Sequence, residues 1–271
     1  MAALPYLRLL RIRDWLAYFL VATFGFIFSK GYMHPFTEIS IFYLMIFLYL
    51  GFSFSINECF DIKEDKLDIS KKNPIVMGEL SLKNALIFSV ILAISGTILS
   101  TFFGLKVFLF YLVLTMLSLF YSSPPLRFKS RFLLDFITHG LFFGTLLFLL
   151  PVVIFNHGLT QFHYLVCLSI FHFSIIMELK NHLEDYKSDK EAGLKTTVCV
   201  LGLEKSKNLE KLLVMLFPLV LFPVFLFRLY FLPFLVLTAL FYLTFLIKKN
   251  YRILHIYANI IYGLLIIEVL L

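Results

Sequence analysis

Charged side chains are scarce in this sequence. Asp, Glu, Lys and Arg make up 15% of its 271 residues, against 61% hydrophobic ones. A mean hydropathy of +0.92 excludes an ordinary water-soluble domain and points to a polytopic membrane protein. Cysteine is nearly absent. Cys59, Cys167 and Cys199 have no paired spacing, so neither a disulfide framework nor a zinc site follows from them. No small-residue cleavage site follows the first apolar segment, so that segment is expected to be retained as a span. The net charge of +7 does not signal nucleic acid, because the basic residues lie on the connections between apolar segments, where membrane topology accounts for them.

What is present is length enough for many spans and little else. A spanning helix takes about 20 mostly apolar residues. Nine such segments are expected, at roughly 10–29, 38–59, 83–103, 106–122, 132–155, 161–180, 209–227, 229–247 and 253–271. With the N-terminus inside, all but Lys30, Lys106 and Arg228 of the 24 basic residues fall on the inner side, as the positive-inside rule asks. The expectation is one all-α integral membrane domain, residues 1–271, in a prokaryotic cell membrane. Its N-terminus and longer loops face the cytoplasm.

The few acids are not scattered. Asn57, Asp61 and Asp65 form an N-x-x-x-D-x-x-x-D pattern at the inner end of the second segment, and Asn181, Asp185 and Asp189 repeat it after the sixth. Steps of four residues keep the three side chains on one helix face, drifting by about 40° per step. A lone D-x-x-x-D is common on solvated helices. Two copies with the same Asn, in a chain this poor in charge, mark a site, because ionisable groups are expensive at membrane depth. Four converging carboxylates repel unless a cation fills them. Without Cys or an obvious His partner they suit a hard, oxygen-seeking ion such as Mg²⁺, which commonly also holds a phosphate or diphosphate. The four-span separation suggests a duplicated unit with the site between its copies.

The loops on the same side supply bases. Residues 60–82, 121–131 and 180–208 are polar and carry Lys71, Lys72, Tyr121, Arg127, Lys129 and Lys195. They are placed to cover the carboxylates and to reach a diphosphate; the plainer reading of the bases is topology alone. A polar cleft opening into an apolar bundle suits an amphiphile with a diphosphate head and a hydrocarbon tail. Departure of the diphosphate from an allylic tail, helped by Mg²⁺ and flanking cations, leaves a carbocation that aromatic faces can stabilise. Capture by an acceptor is prenyl transfer.

These residues resemble the UbiA superfamily of intramembrane prenyltransferases over nearly the whole chain. Beyond the two patterns, Lys71 to Ser81 is similar to that family's N-R-P-x-x-x-G segment, and Asp189 to Thr197 to its D-x-x-x-G-x-x-T segment. Tyr121 to Arg127 is similar to the Y-S-x-P-P-x-K/R stretch of chlorophyll-synthase-like members. The resemblance implies nine transmembrane helices around a central cavity, a cytoplasmic loop cap and a lateral opening to lipid. It implies that Asn57, Asp61, Asp65, Asp185 and Asp189 bind diphosphate through Mg²⁺, with Asn181 contributing to substrate binding. Tyr121, Arg127 and Lys129 fall in the family's loop of phosphate-binding residues. Two departures stand out. Asn73 replaces the Arg before Pro74, leaving Lys71 or Lys72 to supply that contact, and Glu58 replaces a frequent Asp.

Asp135 and His139 lie four residues apart in the fifth segment, and His172 and Glu178 lie in the sixth. Their functional reading is binding or deprotonation of an acceptor; the alternative is hydrogen bonding within the bundle. His34, His157 and His163 read as structural. The expected function is Mg²⁺-dependent transfer from a prenyl diphosphate, such as geranylgeranyl diphosphate, to a lipophilic acceptor: an aromatic or quinone precursor, a tetrapyrrole or a glycerol-phosphate lipid precursor. The partners are these two substrates and membrane lipid. An ion- or metabolite-coupled transporter is the rival, disfavoured because the acids sit at helix ends rather than at midplane. A CDP-alcohol phosphotransferase is disfavoured because no D-G-x-x-A-R occurs.

Overall fold

The computed structural model describes residues 4–68, 71–156, 158–226, 228–248 and 252–271. Of the expectations above, those on His157, Lys249 and the side chain of Lys248 lie outside what it describes. All regular structure among the described residues is helical. Seven helices among the described residues are long and apolar enough to cross a membrane, namely Phe36–Phe60 (α3), Leu82–Phe103 (α5), Leu105–Ser122 (α6), Leu134–Phe155, Gln161–Glu184 (α9), Leu203–Phe225 (α12) and Arg252–Leu270 (α14). The eighth expected span is the shorter apolar helix Phe231–Leu246, the bulk of α13 (Phe231–Lys248).

The first expected span differs most. Within 10–29 the chain breaks after a short helix α1 (Leu4–Leu10) that precedes the expected span, makes a tight turn Ile12–Trp15, and only then forms a 13-residue helix α2 (Leu16–Phe28). Arg11 takes a left-handed backbone (φ 50°) at the break, a conformation that a side chain with a Cβ disfavours. Its guanidinium compensates by pairing with Asp14 at 2.7 Å and with Glu58 of α3 at 3.0 Å.

Two aromatic-rich cores hold the bundle. One joins α2, α3, α6 and the Leu134–Phe155 span around Phe42, Tyr49, Tyr111 and Phe142; the other joins α2, α9, α12, α13 and α14 around Phe148, Phe217, Phe225 and Tyr257. Leu134–Phe155 contributes to both, and 72% of its most apolar stretch is buried against other helices, compared with 22% for Leu82–Phe103. It is therefore the central span, while Ile91, Ile94 and Ile98 of the latter face outward. The central span is not a uniform helix. It runs as α7 (Leu134–His139), a π-helical turn Gly140–Thr145, and α8 (Leu146–Phe155). At Gly140 a Cβ would lie 2.7 Å from the Phe171 ring of α9, so only glycine allows this approach. Extra-wide turns of this kind recur at functional sites, and this one follows His139 directly.

On the side bearing the Asp patterns, α3 leads into α4 (Ile62–Asp65), and α9 leads into α10 (Tyr186–Ala192) and α11 (Thr197–Leu201). Gly193 (φ 81°) ends α10 in the left-handed conformation that glycine reaches without strain. The Thr196 side chain caps α11 by accepting from the Cys199 N–H.

Candidate active site

Both Asp patterns fold alike. Asp61 N–H donates to Asn57 O at 3.0 Å and Asp65 N–H to Asp61 O at 2.8 Å; in the second copy Asp185 N–H donates to Asn181 O at 2.9 Å and Asp189 N–H to Asp185 O at 3.0 Å. In each copy the chain bends at the middle Asp, with backbone angles of −96° and 8° at Asp61 and −87° and 2° at Asp185. The two short helices beyond the bends touch, and Lys63 Nζ donates to Ala192 O at 2.5 Å.

A cavity of about 480 Å³ opens between them. Its lining includes Asn57, Asp61, Asp65, Lys71, Tyr121, Lys129, Asn181, Asp185 and Asp189, together with His139 deeper in. Ten of the expected site residues therefore share one wall. Four do not. Lys72 and Lys195 are exposed and are not part of the lining. Arg127 stands behind the wall, where its guanidinium donates to Phe60 O at 3.0 Å and to Glu64 Oε1 at 2.9 Å, with Asp61 at 3.5 Å. Asp135 is fully buried away from the cavity. Its carboxylate accepts from Thr197 N–H and Thr197 Oγ1–H, both at 2.6 Å, and so pins the start of α11 to the central span. Asp135 and His139 thus turn to different partners despite their four-residue spacing.

The mouth is a web of charge-assisted bonds. Asn57 Nδ2 donates to Asp61 at 2.7 Å, and its carbonyl accepts from Ser122 at 3.1 Å and Lys129 at 3.0 Å; Lys129 also pairs with Asp61. Lys71 pairs with Asp185 at 3.1 Å. Asn73, the departure from the family pattern, is buried and donates to Asp65 at 2.8 Å and to Glu58 O at 2.9 Å. It tethers the loop to the carboxylate pair rather than offering a cation, while Lys71 brings the positive charge.

Burial sets the titration here. It pushes the Lys129 ammonium down to about 8, against the pull of Asp189 and Glu58. It pushes the Asp189 carboxyl up to about 6 and also raises Asp65. Burial works against the Lys71 ammonium too, yet the Asp185 carboxylate lifts it above its ordinary value.

Below the mouth the lining turns aromatic. Tyr18, Phe54, Phe142 and Phe143 face the cavity; Tyr18 stacks on Phe143 at 4.2 Å, and Phe142 lies 4.4 Å from Phe143. Tyr121 and His139 both meet Glu178 at the boundary. Arg11, Glu64 and His182 also line the cavity and are absent from the sequence-derived set. Glu64 sits one residue off the four-step register of Asp61 and Asp65. His182 follows Glu178 by four residues, a spacing that would have flagged it. His172 Nε2–H donates to Leu213 O at 2.8 Å, and His34 and His163 hold Glu38 and Thr160.

Among the described residues no three His, Cys, Asp or Glu side chains are gathered into a ready chelate; the aspartates instead engage Lys71, Asn73 and Lys129. The donor set is nevertheless that of a hard cation: carboxylate and amide oxygens on one wall, with Glu64 Oε2 buried and without a partner beside them.

The UbiA prenyltransferase family matches residues 18–259. The chain belongs to this family. It is a membrane-embedded enzyme of prenyl transfer. A digeranylgeranylglyceryl phosphate synthase of Saccharolobus solfataricus is 28% identical over 220 residues, covering 80% of this chain and 75% of that one. The solved structure of a UbiA homologue from Archaeoglobus fulgidus bound to GPP and Mg²⁺ superposes with a TM-score of 0.76 at 25% identity, covering 98% of each chain. A solved digeranylgeranylglyceryl phosphate synthase shares the fold, with a TM-score of 0.74 at 20% identity over 99% of this UbiA-family chain and 98% of the other.

Proposed function

We propose that this prenyltransferase moves a geranylgeranyl-type group from its diphosphate to a glycerol-phosphate lipid precursor, forming an ether and releasing diphosphate. The observation that carries this reading is the polarity divide within one cavity. Carboxylates and lysines from two repeated helix ends form its mouth, and aromatic rings form its depth. That divide matches an amphiphile whose charged head stays at the mouth while its tail lies among the rings.

Asp61, Asp65, Asp185, Asp189 and Asn57 would hold Mg²⁺, which when bound supplies positive charge to the departing diphosphate. Lys129 and Lys71, already on the wall, exchange their carboxylate partners for phosphate oxygens. Asn73 and Arg127 keep Asp65 and Asp61 in place from behind. The rings of Tyr18, Phe54, Phe142 and Phe143 exclude water from the reacting carbon and present their faces to the positive charge developing there. The glycerol-phosphate acceptor is favoured because the curated relatives bear a name that describes a glyceryl phosphate with two geranylgeranyl groups. We further infer that α2 and α13 complete a nine-helix ring formed as one domain over 1–271. Its mouth faces the cytoplasm, and the like-folded Asp patterns are remnants of a duplicated unit.

The test is incubation of the purified protein with Mg²⁺, geranylgeranyl diphosphate and one of three acceptors: geranylgeranylglyceryl phosphate, a hydroxybenzoate or a chlorophyllide. Diphosphate release and product mass are followed together. Release with a geranylgeranyl mass gain on the glyceryl phosphate is expected. Prenylation of another acceptor instead would overturn the acceptor assignment, and no release with any acceptor would overturn the reading as a whole.

A further inference from the structure

The mouth chemistry leaves a second polar cluster unused. Glu178 lies about two helical turns before Asp185, is only 5% exposed and lines the cavity where polar mouth meets aromatic depth. Side chains from three helices converge on its carboxylate. Tyr121 of α6 donates its hydroxyl proton, His139 Nε2 of α7 lies at 3.3 Å, and His182 Nε2 and Asn181 Nδ2 of α9 lie at 3.0 and 3.2 Å. Only a carboxylate offers acceptor positions for that many neighbours. His139 is itself set by Ser174 Oγ at 3.0 Å, and His182 Nδ1 lies 3.3 Å from the Asp135 carboxylate. A buried acid is costly in a membrane bundle and marks function there.

We propose that Glu178 accepts the proton that the acceptor loses during prenyl transfer, with Tyr121, His139 and His182 as the residues that position its carboxylate. This rests on the prenyl-transfer reading above. In the step, the bond between the allylic carbon and the diphosphate oxygen breaks, and its electron pair leaves with the diphosphate. A lone pair of the acceptor hydroxyl forms the new carbon–oxygen bond. The O–H bonding pair stays on that oxygen, and the proton passes to a Glu178 oxygen. The hydroxyl becomes strongly acidic as its oxygen bonds to carbon, so the step needs a well-placed base more than a strong one. His182, which lines the same cavity, then offers the proton a way to the mouth. The acid and the histidine that the sequence also offered in these two spans, Asp135 and His172, do not compete for the role. Asp135 is taken up by Thr197, and His172 by the Leu213 carbonyl.

The experiment compares wild type, Glu178→Gln, Glu178→Asp and Tyr121→Phe, using whichever acceptor the wild-type protein prenylates. It measures kcat, KM and binding of the non-ionising analogue geranylgeranyl thiolodiphosphate with Mg²⁺. Glu178→Gln is expected to bind the analogue within about threefold of wild type and to lose about 100-fold in kcat. Glu178→Asp should recover part of that loss, which a purely structural role would not predict. Should Glu178→Gln fail to fold, Tyr121→Phe removes a single hydroxyl and should lower kcat about tenfold with KM for the diphosphate little changed. The proposal is overturned by transfer at wild-type kcat in either folded variant, or by a loss confined to analogue binding. If wild-type protein prenylates nothing, the prenyl-transfer reading itself fails, and that result is distinct from a kcat loss in the variants alone.

Discussion

The two Asp patterns share backbone geometry but not surroundings. In the first, Asn57 turns to its own Asp61, and Lys129 and Ser122 close over it. In the second, Asn181 turns away from Asp185 toward Glu178, and Asp185 takes its cation, Lys71, from the loop after the first pattern. The first copy is thus saturated from the loop after α6, while the second is braced from below by the histidine cluster. Under the proposed function, one residue pattern set in two environments would give one half that grips the head group and another that couples the head group to the acceptor region. The link between them is physical, because Lys71 and Lys63 reach from the first half onto the second.

The largest expected effect tests whether the halves act as one unit. Asp61→Asn and Asp185→Asn should each lower turnover by at least about 100-fold while the helical content and melting behaviour stay close to wild type. Near-normal turnover in either, measured as diphosphate release, would mean that one half suffices. Next is Lys129→Ala. It leaves Asp61 and Asn57 short of a donor in a largely buried position, so stability should drop by about 1–3 kcal/mol and KM for the prenyl diphosphate should rise about tenfold. A thermal melt and a saturation curve separate the two effects. The asymmetry itself is read by Asn57→Ala against Asn181→Ala. The first should raise KM for the diphosphate more than the second, and the second should act mainly on kcat; equal effects on both parameters would contradict the division of labour. The smallest effect belongs to Lys72→Ala and Lys195→Ala. Both side chains are exposed off the cavity, so kcat/KM should stay within about twofold of wild type.

The sequence made the Asp patterns legible because helical spacing alone puts Asn57, Asp61 and Asp65 on one face, and because so few other charges compete for attention. Span positions were legible for the same reason: apolar runs in a lipid solvent have little choice of conformation. What stayed hidden depends on contacts far apart in the chain. Asp135 and His139 looked like a pair, but the Thr197 that claims Asp135 lies 62 residues away. Arg127 and Lys129 are two residues apart and equally basic, and both reach Asp61, yet only Lys129 lines the cavity, because Arg127 is held by Phe60 O and Glu64, contacts that lie more than 60 residues away in the chain. Lys71 and Lys72 could not be told apart until the loop was folded over Asp185. The break at Arg11 within the first apolar segment was also out of reach, because its compensating partner, Glu58, belongs to α3.

The most direct test of the central claim, that two helix ends jointly hold a Mg²⁺-bound diphosphate, is equilibrium binding of geranylgeranyl thiolodiphosphate with Mg²⁺ present or chelated. It is measured for wild type, Asp61→Asn and Asp185→Asn. Tight binding by wild type is expected only when Mg²⁺ is present, with loss of that Mg²⁺ dependence in both variants. Binding that ignores Mg²⁺ in wild type, or that keeps its full Mg²⁺ dependence in either variant, would contradict the claim.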